Sequence, residues 1–288
     1  MGVLQSFWML AGAFSFSLCA LCIKLGASDF SGYEMVFYRS VVTLVAMSAV
    51  MFARGIAFST KHPAGHFLRA FSGYVSMVLW TLSIPLLTLG TSQTLNASTP
   101  LFIAAAVILI ALVCRQSVSF KLVFGVVLGF AGVCGMLRPD FTQGEMTGVV
   151  FGLTGAMVAG IAFWSIKELA AQHEPSERIV FYLALWCIVF SILCVYLLDD
   201  GFSAVTIQNV PYIAGIGIFA TAGQFFTTLA YGKGHFLLTS VLSYSSIVFS
   251  WAIGIVVFND PCEILSIIGM ICVIAAGLVS SFAARRGH

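Results

Sequence analysis

The side chains most at odds with the apolar runs that hold them are Arg39, Trp80, Asn96, Trp164, Gln224 and Tyr244. A guanidinium meets a carboxylate or phosphate through two parallel hydrogen bonds, so Arg39 suits an anionic group on a small organic molecule. Trp80, Trp164 and Tyr244, if they converge, offer π faces to a planar ring or an organic cation. Asn96 and Gln224 carry amides that need a partner wherever water is excluded. These six are the expected substrate-binding residues. No catalytic residue, metal site or cofactor is expected, because the chain holds no Gly-x-x-x-x-Gly-Lys-Ser/Thr, no His-Glu-x-x-His and no acidic pair inside an apolar run.

Each candidate also has a plainer role. Arg39 lies about six residues, roughly 9 Å at 1.5 Å per residue, from the end of its apolar run. From there it reaches the interface, pairs with Glu34 or a carbonyl, or faces a wet cavity. Serines such as Ser243, Ser245 and Ser246 serve as well in hydrogen bonds between helices. Most of the 26 phenylalanines must pack or meet lipid. No Asp or Glu lies near the middle of an apolar run. An organic cation would therefore have aromatic faces alone, and Glu34, Glu168 and His235 are only peripheral candidates for proton coupling. That balance favours exchange or facilitated movement.

The elements that must position these residues are membrane helices. Of the 288 residues 60% are hydrophobic and 8% charged, too little polar surface for a water-soluble domain. The net charge of +2, with scattered Lys and Arg, excludes a nucleic-acid surface. Ten apolar windows long enough to cross a bilayer lie near 5–25, 33–53, 67–87, 91–113, 121–137, 147–168, 179–198, 211–231, 236–258 and 264–283. The first lacks a basic start and a cleavage site, so it is expected to be a retained span. The cysteines sit in or beside these windows and are expected to pack as free thiols.

The windows form two copies of one unit. Val36-Phe37-Tyr38 recurs as Val180-Phe181-Tyr182, half a chain length later, and Gly125 and Ala131 fall on Gly269 and Ala275. One residue out of that phase, Gly12, Ile23 and Lys24 fall on Gly155, Ile166 and Lys167. The expected fold is an all-α membrane protein of ten transmembrane helices in two inverted five-helix repeats, 1–144 and 145–288, because a unit with an odd number of spans inserts its second copy upside down. With the amino terminus cytoplasmic, inner loops and tails collect Arg54, Lys61, Arg69, Arg115, Lys121, Lys167, Arg178, Lys233, Arg285 and Arg286, against Lys24 and Arg138 outside. This bias places both termini in the cytoplasm. Lys24 and Lys167 read as snorkelling side chains. The row Gly125, Gly129, Gly132 and Gly135 is a close-packing face, and a homodimer through the glycine-rich spans would use it.

The chain resembles the drug/metabolite transporter superfamily, in its ten-span EamA-type branch. The resemblance covers nearly the whole chain and rests on the duplicated halves, Ile23-Lys24, Phe37-Tyr38-Arg39-Ser40, the run from Gly90 to Phe102 and the glycine-rich fifth span. Arg115-Gln116 departs from the acidic residue usual after the fourth span. The resemblance implies transport without naming a cargo. The expected function is an inner-membrane secondary carrier of a small organic metabolite. An amino acid, an amino-acid derivative or an aromatic compound comes first, and the protein acts as exporter or exchanger. The alternatives are carriage of an organic cation or nucleoside-like cofactor through an aromatic cage, and, from other classes, a membrane-embedded enzyme or a passive channel.

Overall fold

In a computed structural model the described residues are 2–114, 120–136, 142–199, 201–234, 236–261 and 264–284, and among them all regular structure is helical. Arg115, Gln116, Arg138, His235, Glu263, Arg285 and Arg286 lie outside these residues. The helices are α1 (Gly2–Ser6), α2 (Trp8–Gly26), α3 (Gly32–Ala53), α4 (Pro63–Ser83), α5 (Leu89–Asn96), α6 (Thr99–Val113) and α7 (Phe120–Met136). They continue as α8 (Gln143–Ala171), α9 (Ser176–Leu198), α10 (Val210–Lys233), α11 (Phe236–Ser243), α12 (Ser245–Phe258) and α13 (Ile264–Ala284). Each apolar window expected from the sequence is mostly helical over its described residues. Two starts are written locally as Ser/Thr-x-x-Glu: the Glu34 N–H donates to Ser31 Oγ while the Glu34 carboxylate accepts from the Ser31 N–H, and Thr142 and Glu145 do the same for α8.

Among the described residues six helical segments are long and apolar enough to cross a membrane: Leu4–Gly26, Gly32–Ala53, Leu89–Val113, Gln143–Ala171, Ser176–Leu198 and Val210–Lys233. α4 carries His66, Arg69, Ser72, Ser76 and Thr81 on its buried side, which lowers its hydropathy, and α11 and α12 divide one window into 8 and 14 residues. Large apolar side chains such as Val45, Leu109, Phe120 and Leu193 are exposed, as expected of a surface that meets acyl chains rather than water.

The packing pairs helices from the two halves of the chain. α2 lies along α10, α4 along α8, α3 along α9, and α7 along α13. Small residues let these axes approach closely. A methyl group added at Gly12 would come within 2.9 Å of Thr227 Oγ1, and one at Gly155 within 3.2 Å of Leu79 Cβ. Gly129 and Gly132 face Ala276 and Cys272 of α13 in the same chain, so a second copy would have to meet another face of α7.

Two helices break at corresponding places. Pro100 has no N–H to offer the Asn96 carbonyl, and the Thr99 hydroxyl donates to it instead at 2.9 Å. Ser98 Oγ donates to the Leu95 carbonyl at 2.6 Å, and together these bonds separate α5 from α6. Between α11 and α12 the break falls at Tyr244, where Ser245 and Ser246 donate to the carbonyls of Leu242 and Ser243, each at 2.7 Å. Hydroxyls thus satisfy carbonyls that an interrupted helix leaves open.

Candidate substrate cavity

The two breaks open onto one cavity of about 850 Å³, counting the solvent space at its margin. Met9, Ala13 and Phe16 of α2 line it, with Arg39 of α3, Arg69, Ser76 and Trp80 of α4, and Ala159, Ala162 and Phe163 of α8. Gln224, Thr227 and Tyr231 come from α10. The breaks supply Asn96, Ala97, Thr99 and Pro100 on one side and Ser243 and Ser246 on the other. Irregular backbone at membrane depth is tolerated where it is buried or lines a cavity, which is where this chain places it.

Four of the six residues expected from the sequence, Arg39, Trp80, Asn96 and Gln224, line this cavity. Trp164 does not: it is 58% exposed, with Lys167 Nζ 5.1 Å from the centre of its ring. Tyr244 is buried but points away, into a core with Leu95, Leu101 and Ile247. Their places in the wall are taken by sequence neighbours, Phe163 beside Trp164 and Ser243 beside Tyr244. Each residue step turns a helix by about 100°, so adjacent positions face different surroundings.

Arg39 does not pair with Glu34. That carboxylate accepts from the Ser31 N–H at 2.7 Å and from the N–H and hydroxyl of Ser203. Arg39 is 2% exposed and its Nη1 has no hydrogen-bond partner. Arg69, counted above among the cations of the inner loops, is instead buried in the cavity wall. Its Nη2 donates to Gln224 Oε1 at 3.4 Å, and Gln224 Nε2 donates to Met77 Sδ at 3.7 Å. A signal for Arg69 was present in the sequence: Arg69, Gly73, Ser76 and Trp80 recur at steps of four, three and four, a stripe along one face of a helix.

The wall is under-satisfied. Arg39 Nη1, Arg69 Nε, Trp80 Nε1, Gln93 Oε1 and Thr227 Oγ1 are buried, lack a partner, and belong to residues that line the cavity. Buried polar atoms without partners are uncommon in finished interiors and collect at sites of function. Apolar and aromatic walls complete the site. Phe16 meets Trp80 edge to face at 6.0 Å, and Phe163 stacks on Tyr231 at 4.8 Å. A hydrophobic enclosure with a few convergent polar groups is the usual form of a small-molecule site.

A helical bundle built around such a cavity suits a membrane transport protein. Residues 4–138 match the EamA-like transporter family. The chain is similar to the pseudopaline exporter CntI of Pseudomonas aeruginosa, 23% identical over 269 residues and 93% of each protein. It is also similar to an uncharacterized transporter of Helicobacter pylori, 20% identical over 92% of this chain and 90% of that one. Human solute carrier family 35 member G1 is 22% identical over 94% of this chain and 77% of its own length. A solved crystal structure at 18% identity covers all of this chain and 98% of its own with a TM-score of 0.67, showing a shared fold. The protein is a multi-pass membrane transporter.

Proposed function

We propose that the protein is an inner-membrane secondary carrier that moves a small organic metabolite by alternating access, acting as exporter or exchanger. An amino acid, an amino-acid derivative or an aromatic compound is the first expectation for its cargo. The observation that carries this reading is the cavity, where polar and aromatic side chains from both halves of the chain converge on two broken helices. The architecture proposed is ten spans in two inverted repeats, 1–144 and 145–288, with both termini cytoplasmic. The packing supports it. Exchanging the halves turns the α2–α10 pair into α8–α4, the α2–α12 pair into α8–α6 and the α2–α11 pair into α8–α5, and returns α3–α9 and α7–α13 to themselves. Such symmetry lets one half rock against the other around a fixed midplane site.

Counterflow in proteoliposomes tests the function. Labelled solute accumulating against an excess of unlabelled solute inside requires a carrier, and an open pore would give none. Single thiols placed at Lys61 and Lys233 test the topology: both should react from the same, cytoplasmic, side, and opposite reactivity would overturn it. The second reading, an organic cation or nucleoside-like cofactor in an aromatic cage, draws on Phe16, Trp80, Phe163 and Tyr231. Two arginines, and no acidic residue among the described residues of the wall, weigh against a cation.

A further inference from the structure

Arg39 and Arg69 reach one cavity from neighbouring helices, and each is 2% exposed. Among the described residues no Asp or Glu lines the cavity, and Glu34 is held elsewhere by Ser31 and Ser203. Arg69 makes one long bond to a neutral amide, while Arg39 Nη1 and Arg69 Nε have no partner. The chain also makes room for this arrangement. Gly73 lies against the Arg69 guanidinium, where a Cβ would collide with Nη1. Taking a cation out of water is costly unless a counter-charge meets it, and two like charges in one apolar enclosure compound the cost. The arrangement becomes favourable when two negative charges enter together.

We propose that the cavity takes an organic molecule with two acidic groups, carboxylate or phosphate, one on the fork of Arg39 and one on the fork of Arg69. Its carbon skeleton lies against Phe16, Trp80 and Phe163, and Gln93 and Asn96 meet its remaining polar atoms. This rests on the cavity being the carrier's substrate site, and it narrows the cargo from amino acids at large to diacids. A neutral amino acid brings one carboxylate for two arginines and an ammonium that finds no acid.

The test is a thermal-shift titration of the full chain in detergent with phenylsuccinate, phosphoglycolate, 3-phenylpropionate and phenylalanine. Phenylsuccinate is expected to raise the melting temperature at concentrations at least about tenfold below those 3-phenylpropionate needs, and phenylalanine to do so least. A matching shift by phosphoglycolate extends the site to phosphates, and its absence confines the site to dicarboxylates. Arg39→Gln and Arg69→Gln should each bring the diacid and the monoacid to parity, with Arg→Lys intermediate because it keeps charge but loses the fork. If the glutamine variants fail to fold, the ranking in the unaltered protein decides. Equal shifts from all four probes, a preference for phenylalanine, or an unchanged ranking in both glutamine variants would overturn the diacid inference while the carrier reading stands. Absence of counterflow with every solute would instead sink the carrier reading.

Discussion

Lys24, at the end of α2, faces Asp260, in the turn after α12, across 3.5 Å. Lys24 Nζ also donates to the Leu87 carbonyl at 3.1 Å and lies 4.7 Å from the centre of the Phe258 ring. The second Asp260 oxygen accepts from the Leu89 N–H at 3.0 Å, the first residue of α5. A lysine that the sequence suggests to be snorkelling is therefore one side of a tie between the two halves. The opposite end of the bundle has its own ties, Arg54 to Glu177 at 2.7 Å and Arg178 to Glu174 at 2.9 Å.

Asp260→Ala should destabilise the protein by about 2 kcal/mol, because it strands both the Leu89 N–H and the lysine. Asp260→Asn should cost less, since its amide oxygen still accepts from Leu89. A double-mutant cycle with Lys24→Met, read by melting in detergent, checks the pair. Strict additivity would show that the two charges do not interact.

Pro100→Ala restores the N–H that α5 and α6 lack between them. The variant is expected to melt higher by about 1 kcal/mol or more of added stability and to exchange solute more slowly. Differential scanning fluorimetry and counterflow rates measure the two effects. A lower melting point would mean that the broken geometry is held by packing alone.

Tyr244 separates core from cavity. Its ring is buried beside Leu95 and Leu101 and its hydroxyl has no partner. Tyr244→Phe should leave stability unchanged or slightly raised, while Tyr244→Ala should cost about 3 kcal/mol. Affinity of Tyr244→Phe for cavity ligands should equal that of the unaltered protein in the same titration.

Glu174, in the turn between α8 and α9, gives a pH dependence. Burial pushes its carboxyl up, but the Thr60 hydroxyl, at 2.6 Å, and Arg178 outweigh it and hold the carboxyl below its ordinary value. His66 Nε2 adds a contact at 3.4 Å. A depressed carboxyl stabilises the fold above its unfolded pKa of about 4.3, and that contribution disappears as the pH falls through the folded value. Melting temperature should therefore drop below about pH 4.3. Glu174→Gln should start lower at neutral pH and lose less on acidification; an identical acid limb in both proteins would remove Glu174 from the account.

Much of the candidate site was legible because polar groups are conspicuous in apolar runs. Arg39, Trp80, Asn96 and Gln224 stand out by type, and all four line the cavity. Trp164 and Tyr244 stand out equally and face elsewhere. In a span that is apolar all round, composition carries little information about rotation, and one residue step is enough to exchange Trp164 for Phe163. Arg69 lies near the start of its window, where a cation is expected at the interface. Its helical spacing with Gly73, Ser76 and Trp80 was the stronger clue.

By itself the sequence determined helices of membrane length and, by resemblance, the transporter class, and it carries Pro100, whose missing N–H interrupts a span. These follow from local chemistry: backbone groups in hydrocarbon must bond within their own segment, and a missing N–H must be compensated nearby. Only the tertiary structure decided that Arg39 and Arg69 share one enclosure without an acid, that Glu34 is taken by Ser203, and that Lys24 meets Asp260. Those outcomes depend on which helix faces pack together across the two halves, and lipid and apolar protein are nearly equivalent neighbours for most of the side chains that would report it.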